Sequence, residues 1–235
     1  MAEHLLLFGA SGAIGGAVLE RAAAKGWRVT AVSRTTPASA SANADWIATD
    51  PLGKTFDATQ LSTGEMFTAV CWAQGANRTD SVYDVDPQEH LALYQANCLY
   101  VLVTLKALLG AHLLRRGSRL CVISSIWQNL ARQTKLSYCM TKAALQGLVL
   151  SASADLAADG HLINAVLPGA LDTPMTRRNL SAEQISRFTE GTRFGRLPQL
   201  EDVASLVCYL CSEENTGITG QFIASDLGFS HVRIV

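Results

Sequence analysis

The sequence predicts an α/β fold, a doubly wound parallel sheet of about seven strands in three α/β/α layers. Three observations predict it. Short apolar runs alternate with helical patterns along the whole chain, as successive parallel strands and their crossovers require. The first run, residues 4–8, enters a glycine-rich turn and then an apolar helix. No Pro/Gly/Ser-rich linker divides the 235 residues, so residues 1–235 read as one domain.

Composition narrows the function classes. Hydrophobic residues make up 49% of the chain and charged residues 17%, enough apolar material for a large core. A formal net charge of -1 without a basic run argues against nucleic acid as a partner. The N-terminus has no basic leader and no cleavage-like segment. No uncharged apolar stretch of ~18 residues suggests a membrane span. A cytoplasmic protein without membrane association is expected. The six cysteines sit mostly in apolar patterns. Cys208 and Cys211 form a CxxC, but no second pair or nearby histidine completes a metal set. Buried packing is the expected role, and no metal site is predicted.

The first strand, residues 4–8, is followed by Gly9, Gly12 and Gly15 and a helix over 13–24 that stops at Gly26. In this context the turn brings backbone N–H groups and a positive helix end towards a pyrophosphate. A glycine turn without ligand is the bland alternative. The second strand, 27–32, ends at Ser33 and Arg34, where an acidic residue would hold the ribose hydroxyls of NAD. A guanidinium instead suits the 2′-phosphate of NADP through forked bonds, so NADP(H) is favoured over NAD(H). A surface arginine is the other reading. The third strand, 45–49, ends at Asp50. This carboxylate either accepts a bond from an adenine amino group or caps the following turn.

Residues 52–66 are short for a crossover helix, and Gly53 and Gly64 weaken it. The fourth strand, 67–72, runs into Ala73, Gln74 and Gly75, a second place where backbone can approach a cofactor. Asp86 caps a long helix over 88–113, with Pro87 in its first turn and Glu89 three residues on. Asn97 falls mid-helix, where it is either buried with partners or solvent-facing. After a turn ending at Gly117, residues 119–124 form the next strand. Ser125 stands at its C-terminal end, where open α/β sheets place ligands.

Tyr138 and Lys142 are four apart on a helix over 137–158 and share one face. An ammonium beside a phenol favours the phenolate and lowers its pKa, and such a tyrosine exchanges a proton with a substrate oxygen. Ser125 offers a hydroxyl to the same oxygen. Taken alone, the pair is equally readable as two ordinary helix residues. A sixth strand over 161–167 is broken by Pro168 and Gly169. The polar segment 175–196 carries Arg177, Arg178, Arg187, Arg193 and Arg196, with a helix start at Ser181, and suits a lid over the cleft. A helix over 201–211 and a strand over 220–224 complete the alternation.

These separated features resemble the short-chain dehydrogenase/reductase family over nearly the whole chain, from Leu5 to about Gly228. Tyr138-Cys-Met-Thr-Lys142 matches its YxxxK, and Ser125 lies 13 residues before the tyrosine, where the family's serine usually stands. Asn97 falls on the position of its fourth catalytic residue. Pro168-Gly169 with Thr173-Pro174-Met175 resembles its PG…TPM segment, and Gly220-Gln221 with Asp226-Leu227-Gly228 its closing GQ…DGG. The chain departs from the pattern in two loops. The glycine turn reads Gly9-Ala-Ser-Gly12-Ala-Ile-Gly15, with the middle glycine one place early, and NNAG becomes Trp72-Ala73-Gln74-Gly75.

The resemblance implies a Rossmann-like domain that transfers hydride between a nicotinamide and a small-molecule carbonyl or secondary alcohol. It implies that Tyr138 is the general acid/base, that Ser125 binds the reacting oxygen, and that Lys142 holds the nicotinamide ribose. Asn97 is implied to fix a water leading to solvent. Gly9, Ser11, Gly12, Ile14 and Gly15 are implied to surround the pyrophosphate, Ser33 and Arg34 the 2′-phosphate, Asp50 the adenine, and Pro168, Gly169 and Thr173 the nicotinamide. Ser125, Trp127 and Tyr138 would border the substrate, with Phe188 or Phe194 adding an apolar wall. A homodimer or homotetramer through the two long helices is implied as well. A 3-oxoacyl-thioester reductase remains open as an alternative, as does a non-catalytic nucleotide-sensing protein on the same fold.

Overall fold

The computed structural model describes residues 3–38, 40–173, 176–177 and 180–232. Pro174, Met175 and Arg178 of the sequence reading lie outside the described residues. Seven parallel strands form one sheet in the order β3-β2-β1-β4-β5-β6-β7. They are β1 (His4–Phe8), β2 (Arg28–Ser33), β3 (Asp45–Ala48), β4 (Phe67–Trp72), β5 (Leu114–Ile123), β6 (Leu162–Pro168) and β7 (Phe222–Ser225). The order reverses at β1, between β2 and β4, so a crevice opens above the C-terminal ends of β1 and β4.

The central strands are apolar on both faces because helices cover both. Leu6, Phe8, Val70, Trp72, Leu120 and Val122 point into one core, and Leu5, Leu7, Ala69, Cys71, Cys121 and Ile123 into the other. This is the two-residue period of a strand read on a doubly covered sheet. The first core is closed by α3 (Tyr100–Gly110) and α4 (Leu136–Asp155). The second is closed by α1 (Ala13–Ala24) and α6 (Leu200–Leu210). All six cysteines are free thiols. Cys71, Cys121, Cys208 and Cys211 pack together in the second core, and no metal-holding group of three ligand residues occurs among the described residues.

Three elements differ from the sequence expectation. Residues 52–66 hold no crossover helix, only a 3₁₀ turn, Ala58–Leu61, whose N-terminus the Asp57 side chain caps. Strand β5 starts five residues early, at Leu114, which pairs with Phe67. The register then shifts so that Ala69 faces Arg119, and Gly117 takes φ +78 in the extra length. The long helix breaks its α geometry: α2 (Pro87–Tyr94) passes through a π segment, Gln95–Leu99, into α3. Pro87–Gly110 is thus long and apolar enough to cross a membrane by length and composition alone. Its Leu93, Cys98, Val101, Leu105 and Leu108 are buried, as in a core helix.

Candidate active site

The glycine turn is built for close approach of backbone. Gly9 has φ +74, and a Cβ there would stand 2.4 Å from the Gln74 nitrogen. A Cβ on Gly15 would stand 2.2 Å from the Gly9 carbonyl oxygen, so α1 seats tightly under the turn. The Gly9 and Ala10 N–H groups both donate to the Val32 carbonyl, which ties the turn to β2. Gly12 caps α1 without a side-chain bond, and the first turn of the helix has no acidic residue. Its first N–H groups lack intrahelical partners, and Ser11 and Gly12 are exposed beside them while Ile14 is half-buried. This cradle fits a dinucleotide pyrophosphate: donors and dipole point outward with no competing carboxylate.

Across the crevice, β4 runs out into Ala73, Gln74 and Gly75. The Ala73 N–H donates to the Phe8 carbonyl at 3.0 Å, so main chain links these strand ends without the family's asparagines. The Gln74 amide oxygen is buried and unpartnered among the described residues, a polar atom that a ligand in the crevice could satisfy. At the adenosine end, Ser33 is buried and its hydroxyl donates to the Thr35 carbonyl at 2.8 Å. Arg34 is exposed and joins no ion pair among the described residues. Asp50 accepts the Leu52 N–H of its own turn at 3.1 Å through one carboxylate oxygen. Both charges act on Tyr100: burial pushes this phenol up, Asp50 adds to the rise and Arg34 opposes it.

Ser125, Tyr138 and Lys142, expected to handle the proton, come from two elements, the end of β5 and α4. Ser125 follows β5 and is buried, and its oxygen accepts the Trp127 N–H at 3.3 Å. Burial raises the Tyr138 phenol, and the Ser125 side chain only partly offsets the rise. The direction is opposite to the lowering expected from Lys142, because loss of water around the phenol outweighs the opposing Ser125 side chain. Lys142 Nζ lies 5.6 Å from the Tyr138 ring centroid and donates to the Ile123 carbonyl at 3.0 Å. Burial lowers Lys142 to about 8, with Cys98 opposing weakly.

That shift has a measurable consequence. Below about 8 the ammonium is charged in both the folded and the unfolded chain, and its burial costs stability. Between about 8 and 10.5 the folded chain has released the proton that the unfolded chain keeps. Stability contributed at this site therefore rises with pH across that window. Urea melts of the protein and of Lys142→Met, near neutrality and near about pH 10, should show the parent gaining on the variant at the higher pH.

Asn97 is buried in the π segment, which settles its two sequence readings. Its amide oxygen accepts the Ala76 N–H at 2.8 Å, and its nitrogen donates to the Ala76 carbonyl and to Thr141 Oγ1. The extra residue of a π turn swings this side chain out of the helix ladder towards the loop after β4. A Cβ on Gly75 would lie 3.3 Å from Asn97 Oδ1 and 3.7 Å from Lys142 Nζ, so Gly75 sits between these groups.

Beyond β6, Pro168 and Gly169 form a tight floor. A Cβ on Gly169 would stand 2.9 Å from that of Asp226. Asp226 in turn accepts the Gly228 N–H, and Leu227 takes φ +57 where the resembled motif has glycine. A leucine there carries the cost of the left-handed region, about 1–2 kcal/mol. Thr173 is buried, and its hydroxyl accepts the Thr176 N–H at 3.1 Å.

The lid segment contains α5 (Ala182–Glu190), opened by a full capping box between Ser181 and Gln184. Arg177 pairs with Asp172 and Arg196 with Asp202. Phe188, not the exposed Phe194, meets Trp127, edge-on at a centroid distance of 6.4 Å. Phe229, from beyond β7, packs on Phe188 at 5.3 Å. With Arg132, Gln184 and Arg187 these aromatics line a cavity of about 220 Å³. Sequence reasoning missed Phe229 and Arg132. Phe229 follows the closing motif at once, and Arg132 lies between Ser125 and Tyr138; those neighbours were the available signal.

Residues 9–230 match a family model described as enoyl-(acyl carrier protein) reductase. The uncharacterized oxidoreductase YmfI of Bacillus subtilis (strain 168) is 26% identical over 242 residues, covering 97% of this chain and 99% of that protein. The 3-oxoacyl-[acyl-carrier-protein] reductase FabG of Escherichia coli (strain K12) is 27% identical over 227 residues, covering 92% of each. Among solved structures, a short chain dehydrogenase family protein from Francisella tularensis subsp. tularensis SCHU S4 superposes with a TM-score of 0.87 at 22% identity, over 98% of this chain and 99% of that one. A gluconate 5-dehydrogenase from Burkholderia cenocepacia J2315, in complex with NADP and tartrate, gives 0.90 at 21% identity, over 98% and 96%. With the model match spanning almost all of the glycine turn, the Ser125–Tyr138–Lys142 cluster and the closing motif, the chain belongs to the short-chain dehydrogenase/reductase family of oxidoreductases.

Proposed function

We propose that this protein is an NADP(H)-dependent reductase or dehydrogenase acting on a carbonyl or secondary alcohol, with Tyr138 as general acid/base. One observation carries the reading: a buried Lys142 stands 5.6 Å from the Tyr138 ring centroid on α4, with the buried Ser125 at the end of β5 acting on the same phenol. The nicotinamide supplies or accepts the hydride when bound. Ser125 holds the substrate oxygen and stabilises charge as it develops there. Tyr138 gives that oxygen its proton in reduction. Its raised pKa keeps the phenol protonated at neutral pH, which suits the reductive direction. Lys142 holds the nicotinamide ribose. Asn97, fastened to the Ala76 backbone, orders the water path by which Tyr138 is reprotonated. Gly9, Ser11, Gly12, Ile14 and Gly15, with Ala73, Gln74 and Gly75, enclose the pyrophosphate and adjoining ribose. Ser33 and Arg34 read the 2′-phosphate, Asp50 the adenine, and Pro168, Gly169 and Thr173 the nicotinamide.

Leu91, Tyr94 and Leu102 on α2 and α3, and Met140 and Leu150 on α4, are exposed apolar side chains. They support a homodimer or homotetramer in a cytoplasmic enzyme. Likeness to FabG favours a second reading, reduction of a 3-oxoacyl thioester. A panel of ketones, aldehydes and a 3-oxoacyl thioester, assayed in parallel with NADPH and NADH, tests both. Turnover with NADPH is expected. Cofactor binding with no turnover across the panel would favour a nucleotide-sensing protein instead.

A further inference from the structure

The cavity beside Trp127 has a composition that a general carbonyl site does not need. Its walls are aromatic on three sides, Trp127, Phe188 and Phe229, and its rim carries Arg132 and Arg187. The Arg132 guanidinium lies 5.7 Å from the Phe188 ring centroid and joins no ion pair among the described residues. Burial and then Arg132 lower the Lys135 pKa while Asp80 opposes, so a second cation lies near Arg132. The carboxylate paired at the rim is Glu183, bound to Arg187 at 2.6 Å with both side chains 75% exposed. An exposed pair of this kind is weak and releases its arginine readily. Gln184 spends its amide oxygen on the Ser181 N–H, which turns its amide nitrogen away from that cap.

From this arrangement, and resting on the carbonyl-reductase reading above, we propose that the substrate is a flat, ring-sized apolar carbonyl compound bearing a carboxylate, which Arg132 and Arg187 hold. Position and size argue for it. The Trp127 backbone N–H bonds Ser125 Oγ, so the residue that supplies one aromatic wall is tied through its main chain to the serine assigned to the reacting oxygen. A cavity of about 220 Å³ is enough for one ring and a short acid arm, since voids of about 150 Å³ admit benzene. Planar guanidinium forks match a carboxylate in two-point contact, and a cation left without a carboxylate partner over an aromatic wall gains most from one.

The test is binding, so that it stands apart from turnover. In the presence of NADP, 3-phenylpropionate and 3-phenylpropanol are titrated against the protein, followed by tryptophan fluorescence and calorimetry. The acid is expected to bind about tenfold more tightly than the alcohol, and Arg132→Met or Arg187→Met to abolish that preference. Glu183→Gln, which frees Arg187, should strengthen acid binding. Equal affinities, or a preference indifferent to both arginine variants, overturns the proposal. So does a phosphopantetheine thioester that binds more tightly than the acid through the same arginines. An acid preference without turnover of 3-benzoylpropionate leaves this site standing and removes the reductase reading. Turnover of neutral ketones without an acid preference does the reverse.

Discussion

Tyr138→Phe is expected to lower kcat by about 10²- to 10⁴-fold while leaving NADPH affinity within a few-fold of the parent. The substitution removes one oxygen and keeps the ring, so the packing of α4 and the 5.6 Å approach of Lys142 are retained. What disappears is the hydroxyl proposed to donate the proton, on which the Ser125 side chain acts. Loss of general acid–base catalysis without loss of ground-state binding is the expected signature. Steady-state rates at saturating substrate, beside a fluorescence titration of NADPH, check it. The pH profile adds a signed criterion. Burial raises the phenol, so the protonated form needed for reduction persists through neutral pH, whereas alcohol oxidation needs the phenolate and should climb as pH rises. The climb should be absent in the variant. Unchanged turnover in Tyr138→Phe would remove Tyr138 from the chemistry.

Arg34→Asp should reverse the cofactor preference, raising KM for NADPH by about tenfold or more and lowering that for NADH. The guanidinium is exposed at the end of β2 and unpaired among the described residues, so its charge is available to a phosphate dianion. A carboxylate in its place repels the 2′-phosphate and accepts from free ribose hydroxyls. Substitution at this surface position leaves Ser33 and its bond to Thr35 in place, so the turn itself should persist. Parallel kinetics with both cofactors for parent and variant decide it. A parent that already prefers NADH would show that Arg34 is a solvated side chain.

The scaffold was legible because its signals are local. Strands β1 and β4 and helix α1 fall on the residues their apolar runs marked, since a strand covered on both faces reads as an unbroken apolar run. The same holds for Ser125, Tyr138 and Lys142. A strand end and a four-residue helical spacing bring them together once the sheet is parallel.

Other features depended on what lies across from a residue, which no local period records. Asn97 was equally readable inward or outward until the π segment turned it onto Ala76. Gly117 looked like the end of a turn, but the early pairing of Leu114 with Phe67 placed it inside β5. Phe194 and Phe188 were indistinguishable in sequence. The direction of α5 gave the cleft to Phe188 and brought Phe229 against it from the far end of the chain. The balance of forces on Tyr138 was also a tertiary matter, because four-residue spacing shows that an ammonium is near but not how much water is lost around the phenol. The sequence by itself determined the sheet, the glycine turn and the spacing of Ser125, Tyr138 and Lys142, all written in short-range pattern. The tertiary structure alone decided the shape and charge of the cavity beside Trp127, because its walls come from segments that only folding brings into contact.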